Sequence, residues 1–289
     1  MSILVDRDTR LLVQGITSRK GQSCVERMLA NGTPVVAGVA EAQGGMWVNG
    51  VPVFDSAKEA VAATSANASV LCVPADQVCE ALLEEIDAGL EMIVCLTASV
   101  PVWDMVLVRS FIRDRPLHLI GPDSVGVFTP GQCLAGVVSE QILKPGNVGV
   151  VSRSGSLTYE VAWQLTSAGL GQSTVVCTGS GLIVGIGIVD VLAMFEDDPV
   201  TEQVVIVGEI GGQEEGMAAE FVRDHMSKPV VAFVAGKTSP PGRRMGHAGA
   251  VVEGYAGSAR SKMEAFERAG AYVARTIAQI PDLLERNAL

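Results

Sequence analysis

The chain has 289 residues, of which 48% are hydrophobic, 4% aromatic and 32 are glycine; this composition excludes a disordered or fibrous chain and suits a glycine-punctuated α/β protein of two domains, each able to bury its own core. Its formal charge of −11 opposes the phosphates of nucleic acids and anionic lipids, so neither a nucleic acid nor a membrane is an expected partner. The six cysteines form no CxxC pair and no metal-ligand spacing, and they read as small core residues in a reducing compartment, with no metal site expected on the chain.

The amino terminus carries Asp6, Arg7, Asp8 and Arg10 in place of a signal-peptide apolar core, and the apolar runs elsewhere are too short to cross a membrane. A soluble cytoplasmic protein is expected, or a matrix one whose targeting segment is absent. Over residues 1 to about 121, strand signals at 11–13, 34–39, 69–73, 92–96 and 117–120 alternate with helix signals at 22–30, 57–63, 77–88 and 102–113. That is the pattern of a parallel sheet covered by helices on both faces. Ligands of such sheets bind at the carboxyl ends of the strands, near the switch in strand order. The first turn there reads Gly15-Ile16-Thr17-Ser18-Arg19-Lys20-Gly21 and leads into a helix whose first amides suit a pyrophosphate, although a plain surface turn has the same composition.

A boundary is expected at Gly121-Pro122-Asp123-Ser124-Val125-Gly126, followed by a turn-rich stretch to Lys144-Pro145-Gly146, which divides the chain into domains 1–121 and 122–289. The second half restarts with a strand at 147–151, after which Ser152-Arg153-Ser154-Gly155-Ser156 opens a helix to about Ala168. Serine hydroxyls and unpaired amides at a helix start form an anion site; the simpler alternative is that Ser154 or Ser156 only caps the helix. A strand at 174–177, the loop Thr178-Gly179-Ser180-Gly181 and a helix around 189–196 lead to an apolar run that reads as a buried strand and ends in Gly208-Glu209-Ile210-Gly211-Gly212. A helix at 214–226, a strand at 230–235 and helices at 259–269 and 277–286 complete the pattern.

The loop after that last strand contains Arg243-Arg244-Met245-Gly246-His247-Ala248-Gly249-Ala250. An imidazole that attacks a phosphoryl group needs room for a tetrahedral anion, and Gly246, Ala248 and Gly249 leave it. Arg243 and Arg244 are candidates to hold the anion. Glu209 is a candidate to take the proton of one ring nitrogen, fix the tautomer and leave the other nitrogen free. A lone loop histidine is more often simply solvated, but His118, in a strand-like stretch, and His225, near the polar end of a helix, share none of this setting.

Together the phosphohistidine motif at Gly246 to Ala250, Gly208-Glu209-Ile210-Gly211-Gly212, Ser152-Arg153-Ser154-Gly155-Ser156-Leu157-Thr158-Tyr159-Glu160 and Gln14-Gly15-Ile16-Thr17 resemble the alpha subunits of the NDP-forming acyl-CoA ligases, the succinyl-CoA synthetase and malate–CoA ligase family. The resemblance covers essentially the entire chain. It implies an N-terminal Rossmann-like CoA-binding domain followed by a flavodoxin-like domain that carries the phosphohistidine. It also implies that coenzyme A is held by Thr17, Ser18, Arg19 and Lys20, by Gln43, and by Leu96, Thr97 and Ala98. On the same ground His247 and Glu209 are catalytic, and Ser154, Gly155, Ser156 and Tyr159 serve the phosphate or substrate beside Arg243 and Arg244.

The chain departs from the family pattern at several of these positions. Ser18 replaces a glycine, Gln43 a lysine and Ala98 an acidic residue; Asp123 and Ser124 replace Asn and Cys; and Ser180-Gly181 replaces an Asp-Pro pair. Arg19 or Lys20 is expected to supply the charge that Gln43 lacks. Coenzyme A and nucleotides are anionic, so glycine loops, helix N-termini and a few basic side chains must hold them against the global field.

The chain has no GxxxxGK[ST] loop and no carboxylate cluster suited to a nucleotide with Mg²⁺. By resemblance, ATP or GTP with Mg²⁺ is expected mainly on an ATP-grasp beta subunit, in a heterodimer or heterotetramer, with a small carboxylic acid as substrate. The expected reaction is acid + NTP + CoA giving acyl-CoA + NDP + phosphate. Succinate is the first reading of the acid, and malate or another short substituted acid the alternative. A CoA-binding regulator with a structural histidine, and a CoA- or carbamoyl-transferase relative, are the other classes; retention of both His247 and Glu209 favours the ligase.

Overall fold

Runs of four to six residues, mostly apolar, are buried throughout as strands, and the amphipathic stretches between them form helices that cover the sheets. The computed structural model of the chain describes residues 2–240 and 242–287, so the last two positions of the expected 122–289 domain lie outside the described residues.

The first half runs β1 (Leu11–Gln14), α1 (Arg19–Ala30), β2 (Val35–Val39), β3 (Trp47–Val48), β4 (Val51–Phe54), α2 (Ala57–Thr64), β5 (Ala68–Leu71), α3 (Val78–Asp87), β6 (Met92–Cys95), α4 (Val102–Ile112) and β7 (His118–Ile120). These strands form one sheet in the order β3-β4-β2-β1-β5-β6-β7, all parallel except the β3–β4 pair. The chain moves outward from β1 in one direction through β2 and in the other through β5. The crevice at the carboxyl end of β1 is therefore a switch point of the kind that receives a nucleotide.

The second half runs β8 (Gly126–Thr129), β9 (Cys133–Gly136), β10 (Pro145–Ser152), α5 (Gly155–Ser167), β11 (Gln172–Cys177), α6 (Ile188–Asp197), β12 (Gln203–Gly208), α7 (Glu214–His225), β13 (Val230–Val234), α8 (Ala259–Arg268), β14 (Tyr272–Val273) and α9 (Ile280–Arg286). The sheet order is β14-β13-β12-β10-β11-β8-β9. Its five parallel strands have the flavodoxin-like order, with the switch point at the end of β10 between β11 and β12. The two halves are joined by backbone bonds as well as packing: Gly185 N–H donates to Gly121 O at 2.8 Å and Ile186 N–H to Leu119 O at 2.9 Å. Two predominantly parallel sheets with helices on their faces make this an α/β fold, as the alternating pattern implies.

Two hairpins stand where no strands were expected. In β3–β4 the turn residues Asn49 and Gly50 both have positive φ (49° and 80°), the requirement of a two-residue turn whose twist matches the strands. The hairpin β8–β9 runs through the stretch expected to break strands, since its glycines mark close backbone approach: a Cβ on Gly126 would lie 2.3 Å from Ala135 O. Helix α1 also begins earlier than its apolar periodicity suggests. Ser18 caps it, accepting Gly21 N–H at 3.0 Å, so Arg19 and Lys20 belong to the first helical turn rather than to the loop.

One charged residue sits inside an apolar stripe of the first domain. Glu85 is fully buried on α3 in line with Val78, Ala81 and Leu82, and its Oε2 accepts the Ser69 hydroxyl at 2.6 Å. Burial pushes this carboxyl up to about 8, with the Ser69 bond acting against it. Its folded-state pKa exceeds its unfolded one, so the fold loses stability as pH rises from the ordinary carboxylate range through 8, on the scale of ~1.4 kcal/mol per pKa unit. The neutral isostere Glu85→Gln is expected to escape that loss. Denaturation midpoints should show little gain at pH 5 and a clear gain at pH 9; equal effects at both pH values would contradict a buried protonated carboxyl.

Candidate functional site

The carboxyl ends of β10, β12 and β13 converge at the second switch point, and each contributes to one buried polar cluster. Glu209 follows β12, Arg153 follows β10, and His247 lies in the long loop between β13 and α8. Glu209 Oε2 and His247 Nδ1 are 2.5 Å apart. A carboxylate only accepts, so Nδ1 carries the shared proton. His247 Nε2 has no hydrogen-bond partner among the described residues, and the ring is about one-third exposed.

Glu209 is held from several directions. Its backbone N–H donates to Glu215 Oε1 at 3.0 Å and its carbonyl accepts Lys262 Nζ at 2.8 Å. Lys262, buried on α8, also bonds Gly211 O and Glu215 Oε2. Arg153 Nη2 lies 3.8 Å from Glu209 Oε1, while its other guanidinium nitrogens lie 3.5 Å from Glu214 Oε2 and Glu215 Oε1. Burial opposes the charge of Arg153, but Glu215, Glu214 and Glu209 outweigh it and raise its pKa. Two cations thus face three carboxylates, and a protonated His247 would balance the cluster. Consistently, the His247 pKa is raised: the Glu209 bond is the largest cause and burial opposes it, while the charges of Glu209 and Asp123 add to the rise and Arg153 resists it.

Glycine makes this arrangement possible at two points. A Cβ on Gly208 would lie 2.6 Å from Glu215 Cγ, so only glycine leaves room for the buried carboxylate. Gly211 has φ +84°, and a Cβ there would lie 1.9 Å from Gly249 O, so the histidine loop rests directly on the backbone that follows Glu209.

The other expected residues fall into three groups. Ser154 precedes α5 and is buried, but its side chain makes no capping bond, which removes simple capping by Ser154 as its reason; Ser152 Oγ instead accepts Ser154 N–H at 3.1 Å. Gly155 and Ser156 form the first turn of α5. Tyr159 lies one turn further, its hydroxyl donating to Val137 O. Arg243 and Arg244 are exposed and make no side-chain hydrogen bond or ion pair among the described residues, although Arg244 lines a cavity with Gly212 and Gly249. The guanidinium that reaches Glu209 is Arg153, which went unassigned within a recognised motif.

In the first domain, Thr17, Ser18 and Gln43 line a cavity of about 660 Å³ at the carboxyl ends of β1 and β2. A second cavity of about 510 Å³ lies between the domains and is lined by Arg19, Lys20, Leu96, Thr97, Ser124 and Tyr159, among others. Ala98 is exposed after Thr97, whose hydroxyl donates to Val73 O at 2.7 Å. Two departures from the family pattern meet next to Ser124: the Ser180 hydroxyl donates to Asp123 Oδ2. After Glu209, Asp123 is a second carboxylate whose charge acts to raise the His247 pKa. Of the other histidines, His118 starts β7 and His225 ends α7, both exposed.

No group of three or more His, Cys, Asp or Glu with metal-ligand geometry occurs among the described residues, and no described helix is long and apolar enough to cross a membrane. Sequence reasoning missed Lys262 and Glu215 as well as Arg153. A signal existed: Lys262 falls in the stripe Ala259, Met263, Phe266 and Glu215 in the stripe Ala218, Ala219, Val222. A charge at a stripe position must be paired inside.

Two family models match separate parts of the chain. A CoA binding domain model matches residues 6–99, and a model of the succinyl-CoA ligase like flavodoxin domain matches 145–286. The chain is 52% identical to a succinate–CoA ligase [ADP-forming] subunit alpha 2 of Archaeoglobus fulgidus, over 98% of this chain and 99% of that one. It is 48% identical to the subunit alpha of the same enzyme from Aquifex aeolicus, over 99% and 94%. The fold is shared with an ATP citrate lyase from Methanothrix soehngenii at a TM-score of 0.88 and 24% identity, over 99% of this chain and 52% of that one, about half its length.

If Glu209 holds the imidazole proton, Glu209→Gln should lower the His247 pKa toward or below the ordinary histidine value. Ring-proton NMR titration reads this directly, and an unchanged midpoint would remove Glu209 as the cause.

Proposed function

The chain belongs to the succinate–CoA ligase alpha-subunit family, and we propose that it is the alpha subunit of an NDP-forming carboxylic acid–CoA ligase, with succinate as the first substrate to test. The observation that carries this reading is the His247 Nδ1–Glu209 Oε2 bond, which leaves Nε2 free in an open, glycine-flanked loop.

In the proposed cycle Nε2 attacks the γ-phosphorus of a nucleoside triphosphate. The N–P bond forms, the β,γ bridging P–O bond breaks, and the diphosphate leaves with the electron pair. The Nδ1 proton stays on Glu209's side of the ring, so the phosphorylated imidazole is neutralised by a bond already in place. A carboxylate oxygen of the acid then attacks phosphorus and the N–P bond breaks, giving an acyl phosphate and free His247. The thiolate of coenzyme A attacks the acyl carbon and phosphate leaves. In the first domain the coenzyme is held at the N-terminus of α1, with Thr17, Ser18, Arg19 and Lys20 at its phosphates and Thr97 and Ser124 along the route to His247. The first turn of α5, with Ser154, Gly155 and Ser156, serves the phosphoryl group, with Arg244 at its open side. Tyr159, whose hydroxyl is occupied by Val137, shapes the wall of the cleft.

Binding of ATP or GTP with Mg²⁺ is assigned to a beta subunit of the ATP-grasp type, because this chain has no P-loop and no metal-ligand cluster among its described residues. The relatives' designation as subunit alpha supports such a partner.

Incubation with γ-labelled nucleotide and the partner should leave an acid-labile label on this chain, and His247→Asn should abolish it while coenzyme A binding stays nearly unchanged; label persisting on the Asn variant would refute the nucleophile. Glu209→Gln should keep the fold but slow phosphorylation by on the order of a hundredfold. With the pKa of His247 raised, the neutral ring becomes available only above the ordinary histidine range, so the phosphorylation rate of the intact protein should climb with pH there. Finally, the purified chain alone should form no acyl-CoA; ligation at full rate without a partner would overturn the heteromeric assignment.

A further inference from the structure

The cavity of about 660 Å³ at the carboxyl ends of β1 and β2 is acidic: Glu41, Asp55, Glu80 and Glu84 line it, and no lysine or arginine does. Gln14 lines it too. Its Nε2 donates to Glu84 Oε2 at 2.8 Å, which leaves Oε1 buried without a donor. Backbone amides satisfy further oxygens, Ala57 N–H reaching the remaining Glu84 oxygen, Oε1, and Gly44 N–H reaching Asp55 Oδ1, both at 2.7 Å. Glu41 is exposed at the rim, has no ion-pair partner among the described residues, and stands two residues beyond β2. From that position an acid of a Rossmann-like domain reaches a ribose hydroxyl.

The cavity therefore offers acceptors and negative charge. A ligand that suits it brings donors and no anion. The amino group and free hydroxyls of an adenosine meet that need, and Gln14 in the cavity wall keeps one acceptor, Oε1, without a donor. A phosphate ester on the ribose brings only acceptors and more than one negative charge. The neighbouring 510 Å³ cavity is different in kind. It carries Arg19, Lys20 and Arg27, shares Cys72 with the first, and runs to Ser124 beside Asp123. The first turn of α1 lies between the two, so a pyrophosphate seated there sends its nucleoside into the acidic cavity and its thiol arm towards His247.

We infer that the acidic cavity selects the ribose by its free hydroxyls and disfavours a 3′-phosphate, so that pantetheine adenosine diphosphate lacking this phosphate, 3′-dephospho-CoA, binds this chain at least as well as coenzyme A does. The inference rests on the coenzyme A reading of the cleft given above. Gln43, where the family carries lysine, contributes an uncharged amide to the same wall.

Calorimetry on the full chain with coenzyme A and with 3′-dephospho-CoA tests it. The expected Kd for the dephospho ligand is lower than that for coenzyme A or equal within about threefold. Added salt should improve the relative standing of coenzyme A, because screening weakens the repulsion of its third phosphate. Glu41→Gln combined with Gln43→Lys should shift the ratio of the two dissociation constants towards coenzyme A by about tenfold, with an unchanged thermal unfolding midpoint showing that the variant is folded. Binding of coenzyme A to the unaltered chain more than about threefold tighter than the dephospho ligand overturns the inference and leaves the coenzyme reading standing. Failure of both ligands to bind overturns that reading, and the inference with it.

Discussion

Everything at the candidate site depends on holding one carboxylate, Glu209, against one imidazole nitrogen. The side chain could not do this from a free loop, because a glutamate loses rotamer freedom when it is fixed and a charge loses hydration when it is buried. Lys262 and Glu215 provide the frame. They are buried next to each other, and between them they bond the backbone N–H and C=O of Glu209 itself. The conformation of the Glu209 segment is thereby tied to an ion pair whose disruption by loss of one partner costs about 3–5 kcal/mol in comparable buried sites. This segment is fixed to α7 and α8 through buried contacts, the rigid support that holding one tautomer of His247 requires.

The topology explains why this frame can form. Parallel strands leave their carboxyl ends on one side, and at a switch point the adjacent connections run to opposite faces, so side chains from distant parts of the sequence meet over an open crevice. Arg153 and Glu209 are brought together by the pairing of β10 with β12, in which Ser152 aligns with Val207. The first sheet repeats the design at β1. Because Gly121, Leu119 and the segment Gly185–Ile186 share backbone bonds, its crevice is anchored to the second domain. The cavity between the domains accordingly reaches Ser124, next to Asp123, whose charge contributes to raising the His247 pKa.

The sequence discloses those parts of this design that have local causes. Buried parallel strands are continuous apolar runs, so Val204 to Val207 and Met92 to Cys95 could be placed to within a residue or two. The small residues around His247, and the carboxylate that ends a strand at Glu209, likewise show a local chemical need. The hairpin β3–β4 carries an Asn49-Gly50 turn signal, but its strands have only two and four residues, too short to show a clear alternating pattern. The partners of Arg153 and Lys262 had no local cause at all. Which charge meets which across 262−209 or 153−215 depends on strand order, and one chain without a sheet assignment does not contain that order in readable form; the stripe positions of Lys262 and Glu215 show only that each needs some buried partner.

The distribution of charge resolves an apparent contradiction between a chain of net charge −11 and a site that must receive phosphate. Exposed carboxylates act through water and salt and are largely screened beyond about 10 Å. The groups that decide the local field are buried. Arg153 lies directly beneath the histidine loop: Cβ atoms built on Gly212 and Gly249 would be 3.7 and 3.5 Å from its nitrogens. Its guanidinium keeps two nitrogens, Nε and Nη1, without a hydrogen bond in the structure as it stands, because the surrounding carboxylates sit at 3.5 to 3.8 Å rather than in contact. A buried donor left in that condition carries an energetic cost, on the order of 1–3 kcal/mol or more for a charged group. The local field at His247 is therefore set by this buried, incompletely bonded guanidinium and the carboxylates around it, whatever the sign of the protein as a whole.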